Sequence, residues 1–285
     1  DALAALLDDP DAQLAAKIAS REQLAAMTKL SLPGDPLVQD AIEWGKQNLA
    51  DSTQSAENLQ IRWTDQGKQF PEPLGTVPQA TWFGAGFPDY PWIFGTDGEY
   101  TAFAAVPVGQ FEAAMDHLRA LRDISDILNE GSGVVTHESV ADGSIWFGHD
   151  SRRTNPDGTI SYNFNTDETV KFPSAVALLW RWTGDDGFRD EMYDFAVRNL
   201  KYVAETLDAD NDGWPEGLGN VERSGMGPEK LDNAVYYIRG LYDLADMARS
   251  KNDGDVFAWA NNLARKLHQS FDETWWFETA DQYAD

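Results

Sequence analysis

Cysteine is absent from this chain of 285 residues, and its absence narrows the chemistry available to the protein. Disulfide bridges, thiolate catalysis and cysteine-ligated metals are excluded. The four histidines show no metal-ligand spacing, and the sequence contains no Walker loop, dinucleotide fingerprint or Gly-x-Ser-x-Gly elbow. A functional site must therefore be sought among carboxylates, hydroxyls and aromatic rings.

Basic residues are scarce: 22 Lys and Arg stand against 48 Asp and Glu, which gives a formal net charge of −26. Binding to nucleic acid or to an anionic membrane draws on a surplus of Lys and Arg, so neither is expected as a partner. No apolar run is long enough to span a bilayer. Neutral or cationic ligands fit this charge better, and the acidity by itself indicates only a surface that is soluble and self-repelling.

Hydrophobic residues make up 42% of the chain, enough for a sizeable core in one large domain or two modest ones. Their spacing predicts helices over residues 1–30 (broken near Pro10), 36–50, 98–129 (interrupted at Pro107), 168–182, 186–206, 231–250 and 253–271. Residues 52–97 are predicted to form a long ordered loop with a short strand around 59–63. Residues 134–161 are predicted to form short strands and hairpins, with turns at Asp142-Gly143 and Asp157-Gly158.

Short connections between these helices alternate with long ones that are aromatic and acidic. This alternation is typical of helical hairpins arranged in a ring with all the long loops on one face. We therefore expect a mainly α fold, an (α/α)6 toroid of helical hairpins that is incomplete in this chain, with short β-hairpins in its long loops. Residues 1–34 are expected to form an N-terminal helical linker, and residues 35–285 the N-terminal portion of the barrel. A ring of six hairpins needs further chain beyond Asp285.

Residues 82–100 form the first candidate functional loop. Sugar rings have apolar faces that stack on aromatic rings and hydroxyls that bond to carboxylates, so Trp82, Trp92 and Asp97 are candidate sugar-binding residues. The alternative is that the aromatic side chains belong to the core and that Asp97 caps a helix.

Two further loops carry acidic residues beside a predicted strand and a predicted helix. His137 and Glu138 are candidates for substrate binding, and the residues alone favour a solvated pair at the end of a strand. Asp167 is also a candidate for substrate binding, and the residues alone favour a helix cap with an acidic first turn.

The fourth loop, residues 212–223 (DGWPEGLGNVER), combines glycine, tryptophan and glutamate. Glycoside hydrolysis needs one carboxylic acid that protonates the leaving oxygen and a second carboxylate that activates water or attacks carbon. Glu216 and Glu222 are candidate acids, and Trp214 could supply a stacking face or raise a neighbouring pKa by desolvation. An isolated glutamate in so acidic a chain is more often a surface residue.

The segment 208–213 (DADNDG) matches the beginning of a calcium loop through Asp208, Asp210 and Asp212. The glutamate that a complete loop carries at its twelfth position is replaced by Gly219. The sequence therefore favours a plain acidic turn, with calcium as the alternative, and predicts no other cofactor.

Taken in order, these loops resemble the glycogen-debranching, amylo-α-1,6-glucosidase-like branch of the six-hairpin glycosidases. Residues 91–97 (PWIFGTD) are similar to the family's Pro-Trp-Phe…Gly-x-Asp loop, and residues 132–138 (SGVVTHE) to its Gly-Lys-Ile-x-His-Glu segment. Residues 167–173 (DETVKFP) with 182–185 (WTGD) resemble its Asp-x-Thr-Pro-Leu-Phe…Thr-Gly-Asp helix. The resemblance covers about residues 80 to 270.

This resemblance implies an (α/α)6 barrel that hydrolyses α-linked oligo- or polysaccharides with inversion. It implies that Glu222 is the acid, although the family's Trp-x-Asp-Ser is replaced here by residues 220–223 (NVER). The helix start at 230–236 (KLDNAVY) resembles Val-Glu-Val-Gln-Gly-Tyr and implies that Asp232 lies near the sugar. The general base would lie beyond Asp285. A lyase or epimerase using His137, and a carbohydrate-binding or catalytically incomplete toroid, are the alternatives.

Overall fold

The computed structural model describes residues 9–64, 70–86, 88–146, 152–154, 160–162, 166–221 and 226–284. This part of the chain is mainly helical, as predicted. Its helices are α1 (Pro10–Met27), α2 (Pro36–Asp51), α3 (Gly95–Ala105), α4 (Phe111–Leu128), α5 (Thr166–Thr183), α6 (Asp186–Tyr202), α7 (Leu231–Ser250) and α8 (Gly254–Trp275). A 3-10 turn over Val106–Val108 follows α3, and a π-helical segment over Val203–Leu207 extends α6. Within the described residues, no helix is both long and apolar enough to cross a membrane.

Strands of two to eleven residues lie between the helices and after the last one. They are β1 (Thr53–Trp63), β2 (Gly75–Phe83), β3 (Ile93–Phe94), β4 (Glu138–Ser139), β5 (Ser144–Ile145), β6 (Arg152–Thr154), β7 (Ile160–Tyr162), β8 (Trp276–Phe277) and β9 (Gln282–Tyr283). β6 and β7 pair antiparallel across the predicted turn at Asp157-Gly158, whose own residues lie outside the described part of the chain.

The N-terminal helices both begin with an Asp-Pro pair. The carboxylates of Asp9 and Asp35 accept the backbone N–H groups of Ala12 and Val38, and a proline occupies the first helical position. A proline there costs nothing, since its missing N–H would be unpaired in any case. The predicted break at Pro10 is therefore corrected: α1 begins at that proline, and residues 1–8 lie outside the described part of the chain.

The β1–β2 hairpin corrects the prediction of a long loop over residues 52–97. The two strands pair antiparallel from Thr53 opposite Phe83 to Ile61 opposite Gly75. Leu59 and Val77 are paired and buried, and α4 packs against the hairpin. Polar residues and prolines interrupt the alternation of apolar residues in this segment, so the sequence does not show the strand pattern that the pairing reveals.

The turn at Asp142-Gly143 connects two strands as predicted, but those strands do not pair with each other. β4 pairs antiparallel with β3, and β5 pairs parallel with β1. Gly143 has a φ of +87°, and a Cβ there would lie 2.1 Å from the carbonyl oxygen of Gln60. Glycine is required because the turn presses directly against β1.

The six remaining helices form consecutive pairs, α3–α4, α5–α6 and α7–α8. The first helices of the pairs lie side by side, with α5 packed between α3 and α7. The second helices pack against them, α4 on α5 and α6 on α7. A Cβ on Gly240 of α7 would lie 2.8 Å from the carbonyl oxygen of Val170 in α5, so this glycine permits the close approach of the two helices.

The predicted alternation of connection lengths is present in the structure. Short connections over residues 106–110, 184–185 and 251–253 join the two helices of each pair. Long connections over residues 129–165 and 203–230 lead from the end of one pair to the first helix of the next. The long connections therefore lead into the N-terminal ends of α5 and α7. The segment that contains β1, β2 and β3 leads into α3 in the same way.

Candidate functional site

The N-terminal ends of α3 and α5 meet beneath the connection that contains β4. The first residue of α3, Gly95, donates its backbone N–H to the carbonyl oxygen of His137 at 2.9 Å. A Cβ on Gly95 would lie 2.3 Å from Cγ of Glu168, so glycine allows the first turns of the two helices to touch. His137, Glu138, Asp167 and Glu168 are brought together here, and we call these four residues the His–carboxylate cluster.

A short hydrogen bond of 2.6 Å joins Nδ1 of His137 to Oε1 of Glu168. Burial, with the neighbouring Asp167 carboxylate, raises the pKa of Glu168 to about 8. Burial lowers the pKa of His137, but the hydrogen bond and negative charge of Glu168 outweigh it and raise that pKa to about 9. The side chain of Glu168 is fully buried and that of His137 is 27% exposed. The two groups titrate as a coupled pair that shares a proton at neutral pH, and His137 is the member of the pair that a ligand can reach.

Asp167 lies in the first turn of α5, as predicted, and it also joins α5 to α3. Its Oδ2 accepts hydrogen bonds from Oγ1 of Thr96 at 2.7 Å and from Nζ of Lys171 at 3.2 Å. Burial acts to raise the pKa of Asp167, but hydrogen bonding from Glu168 and the charge of Lys171 lower it below the usual range. Asp167 is therefore a buried carboxylate whose negative charge is paired with Lys171.

Glu138 completes the cluster from β4, where it lies opposite Phe94. Only 5% of Glu138 is exposed, and its Oε1 has no hydrogen-bond partner among the described residues. Burial raises the pKa of this carboxyl group, and the positive charge of His137 acts against the rise. A protonatable oxygen without a partner beside a charged histidine is typical of a site that receives a polar ligand.

Three aromatic rings lead across the surface to the cluster. Trp92 stacks on Phe94 with ring centroids 6.1 Å apart and an interplanar angle of 14°. Tyr90 lies against both rings, and Phe94 meets the imidazole of His137 edge-on at 5.7 Å. Tyr90 is 50% exposed, and Trp92 is half-buried. This aromatic strip (Tyr90, Trp92 and Phe94) offers the kind of apolar surface on which a sugar ring stacks.

Two of the predicted stacking residues belong to the core. Trp82 is 1% exposed, and its Nε1 donates a hydrogen bond to the carbonyl oxygen of Pro91. Trp214 is 3% exposed and packs edge-on against Phe271 and Trp275. Neither ring has a free face for a ligand, so their assignment as sugar-binding residues is corrected in favour of the core alternative.

Asp97 and Asp232 lie in the first turns of α3 and α7. Asp97 is exposed and is not the helix cap, because α3 begins after Phe94 without a side-chain capping bond. Asp232 accepts the backbone N–H of Asn220 at 2.7 Å, and a Cβ on Gly219 would lie 2.5 Å from its Oδ1. Asp232 therefore holds the connection before α7 against the start of that helix, while Asp97 is open to solvent beside the cluster.

Glu216 is 6% exposed and organises the long connection before α7. Its Oε2 accepts the backbone N–H of Ala209 at 2.8 Å, and its backbone pairs with that of Glu229. Its carbonyl oxygen accepts a hydrogen bond from Oγ1 of Thr166 at 2.7 Å, which ties the connection to the start of α5. This geometry favours a positioning role for Glu216. Glu222, the other predicted acid, lies outside the described residues.

The residues of the possible calcium loop converge at the beginning of the same connection. Carboxyl oxygens of Asp208, Asp210 and Asp212 lie within 4.8 Å of one another. Oδ1 of Asp212 accepts the backbone N–H of Trp214 at 2.8 Å, and Oδ1 of Asp210 accepts that of Asp212 at 3.2 Å. These bonds are those of the acidic turn that the sequence favours.

The site also uses residues that the sequence reading did not select. They are Glu168, Lys171 and Glu99. One signal was present: Lys171 interrupts an apolar run of α5, and a charge within such a run is commonly paired. Its ionic partner, Asp167, lies four residues earlier on the same helix, whereas its second partner, Thr96, lies 75 residues away and could not be predicted from local sequence.

A scan against models of known protein families gives no match to this chain, and a search of curated proteins also finds no match.

Proposed function

We propose that this chain forms the substrate-binding and acid-bearing part of an inverting glycoside hydrolase that cleaves α-linked bonds of an oligo- or polysaccharide. One observation carries the proposal: a proton-holding His–carboxylate cluster lies at the end of an aromatic strip. The strip provides apolar faces for sugar rings, and the cluster provides groups that bond to hydroxyls and exchange protons.

The helix arrangement supports an (α/α)6 toroid as the proposed fold. Three consecutive helix pairs are present, their first helices lie side by side, and every long connection precedes a first helix. A complete ring would repeat this unit three more times, and the proposed general base would belong to that further part of the barrel.

The acid is proposed to be Glu222, because the carboxylate of Glu216 already accepts a hydrogen bond from the backbone N–H of Ala209. In this arrangement His137, Glu138 and Asp97 contact sugar hydroxyls, and Asp167 and Asp232 hold the helix ends in place. In the coupled pair with Glu168, His137 is a hydrogen-bond donor to a sugar oxygen.

A carbohydrate-binding protein without turnover is the second candidate function, and the same aromatic strip favours it. The two candidates are separated by assaying the natural protein, together with its Glu222→Gln and Glu216→Gln variants, for sugar release from a panel of α-glucans. The hydrolase proposal expects release that Glu222→Gln abolishes and that Glu216→Gln reduces through a less ordered loop. Binding without release above blank would support the second function and contradict the first.

A further inference from the structure

His117 of α4 is fully buried and belongs neither to the His–carboxylate cluster nor to the aromatic strip. Its Nδ1 accepts a hydrogen bond from the backbone N–H of Phe83 at 3.2 Å. An imidazole nitrogen that accepts a hydrogen bond carries no proton, so the ring proton is on Nε2. Nε2 lies 3.1 Å from the carbonyl oxygen of Phe94 and donates to it. Burial lowers the pKa of His117 to about 4, so this neutral form is present at neutral pH.

The two hydrogen bonds of His117 close the segment that carries the aromatic strip. Phe83 is the last residue of β2, and Phe94 is the last residue of β3. Tyr90 and Trp92 lie on the chain between them. His117 therefore ties the two ends of this segment together from inside the core.

The peptide unit between Phe94 and Gly95 joins His117 to the His–carboxylate cluster. The carbonyl oxygen of this unit accepts from Nε2 of His117, and its N–H donates to the carbonyl oxygen of His137 at 2.9 Å. Because a peptide unit is planar, the two bonds fix a single orientation. That orientation also sets the contact of the Phe94 ring with the imidazole of His137, which meet edge-on at 5.7 Å.

Packing holds the imidazole of His117 in place. Its ring lies parallel to that of Phe83, with centroids 6.0 Å apart and an interplanar angle of 21°. A Cβ on Gly98 would lie 1.7 Å from Nε2, so the first turn of α3 rests directly on the ring. The imidazole can neither shift nor turn over without moving the start of α3.

We infer that His117 is a positioning residue for carbohydrate binding. Through the peptide unit between Phe94 and Gly95, it holds the ring of Phe94 and the backbone of His137 in their relative places. The inference rests on the proposed function, since it takes the strip and the cluster to be the surface that contacts sugar.

Two conservative variants separate the two hydrogen bonds of His117. In His117→Asn, the side-chain oxygen takes the place of Nδ1 and can accept from Phe83, but no group donates to Phe94. In His117→Gln, the side-chain nitrogen reaches the place of Nε2 and can donate to Phe94, but Phe83 has no acceptor. Each variant loses one buried hydrogen bond, so both should be destabilised. Met247→Ala is the matched control, because Met247 is fully buried near the C-terminal end of α7.

The test combines calorimetric titration with α-linked gluco-oligosaccharides and amide hydrogen exchange of Gly95 measured by NMR. His117→Asn should bind about five- to tenfold more weakly than the original chain, the loss expected for one hydrogen bond. Its Gly95 amide should exchange about tenfold faster than in Met247→Ala. His117→Gln should restore most of both properties, although it is also destabilised. A role in stability alone would not distinguish these two variants.

The inference is overturned if His117→Asn binds like the original chain, if the two His117 variants lose binding equally, or if Gly95 exchanges alike in His117→Asn and Met247→Ala. If neither His117 variant folds, imidazole ¹⁵N shifts of the original chain decide, because a proton on Nδ1 at pH 7 would overturn the inference and a proton on Nε2 alone would support it. Absence of oligosaccharide binding by the original chain would contradict the proposed function. Fast Gly95 exchange confined to His117→Asn would still support the hold of His117 on the peptide unit.

Discussion

Replacing Glu168 by Gln should change how the stability of the protein depends on pH. The native pKa of Glu168 is about 8, against an ordinary value of 4.5, because its side chain is fully buried. The native state therefore binds this proton more tightly than the unfolded state. Stability from this group is fully present below pH 4.5 and is lost as the pH rises towards 8.

The size of the effect follows from the separation of the two pKa values. Midway between them, each pH unit lowers the unfolding free energy by about 1.4 kcal/mol, and the slope is smaller near either pKa, which leaves roughly 3 kcal/mol between pH 5 and pH 8. Glu168→Gln removes the titrating group and keeps an oxygen that can accept from Nδ1 of His137. Relative to the original chain, the variant should thus gain roughly 3 kcal/mol over this pH range.

The assay is urea denaturation of both proteins at several pH values from 5 to 8. Asp194→Asn serves as the control, because that side chain is 85% exposed and lies on the surface of α6. Its stability curve should run parallel to that of the original chain. Parallel curves for Glu168→Gln as well would refute the claim that Glu168 is a buried carboxyl group with a raised pKa.

Three further predictions concern stability, each measured by chemical denaturation. Gly98→Ala should destabilise the protein by about 1–3 kcal/mol, because its Cβ would lie 1.7 Å from Nε2 of the buried His117. Gly45→Ala, whose Cβ would meet nothing within 4 Å, should stabilise the protein by up to about 1 kcal/mol. The opposite ranking of the two variants would contradict this packing. Lys171→Met should lower the free energy of unfolding by about 3–5 kcal/mol at neutral pH, because it leaves the buried Asp167 carboxylate without its cation. A loss that is equally large at acid pH would contradict this explanation. Trp82→Ala should cost about 3–5 kcal/mol, and a loss below 1 kcal/mol would show that this ring is not part of the core.

Features with a local cause could be predicted from the sequence. The Asp35-Pro36 pair marks a helix start because both the cap and the fixed φ act within one turn. The alternation of short and long connections was visible because glycine, proline and acidic clusters interrupt helical periodicity. These signals predicted a mainly helical fold and the position of most helices.

Features that depend on distant partners could not be predicted in this way. Trp82 and Trp92 are similar in sequence context, and only the packing of α4 on β2 shows that the first ring is core. Asp167 lies in the predicted acidic first turn, but the hydrogen bond that it accepts from Thr96 of α3 could not be predicted from local sequence. The pair of His137 and Glu168 depends on a contact between segments 31 residues apart, which Gly95 makes possible.

The central claim is that the aromatic strip beside His137 binds carbohydrate. The most direct measurement is calorimetric titration of α-linked gluco-oligosaccharides into this chain, its Trp92→Ala variant and a Trp44→Ala control. Trp44 is 73% exposed on α2 and lies outside the strip, so its variant should bind like the original chain. We predict binding that Trp92→Ala weakens several-fold or abolishes. Absence of binding to any such oligosaccharide, or equal binding by all three proteins, would contradict the claim.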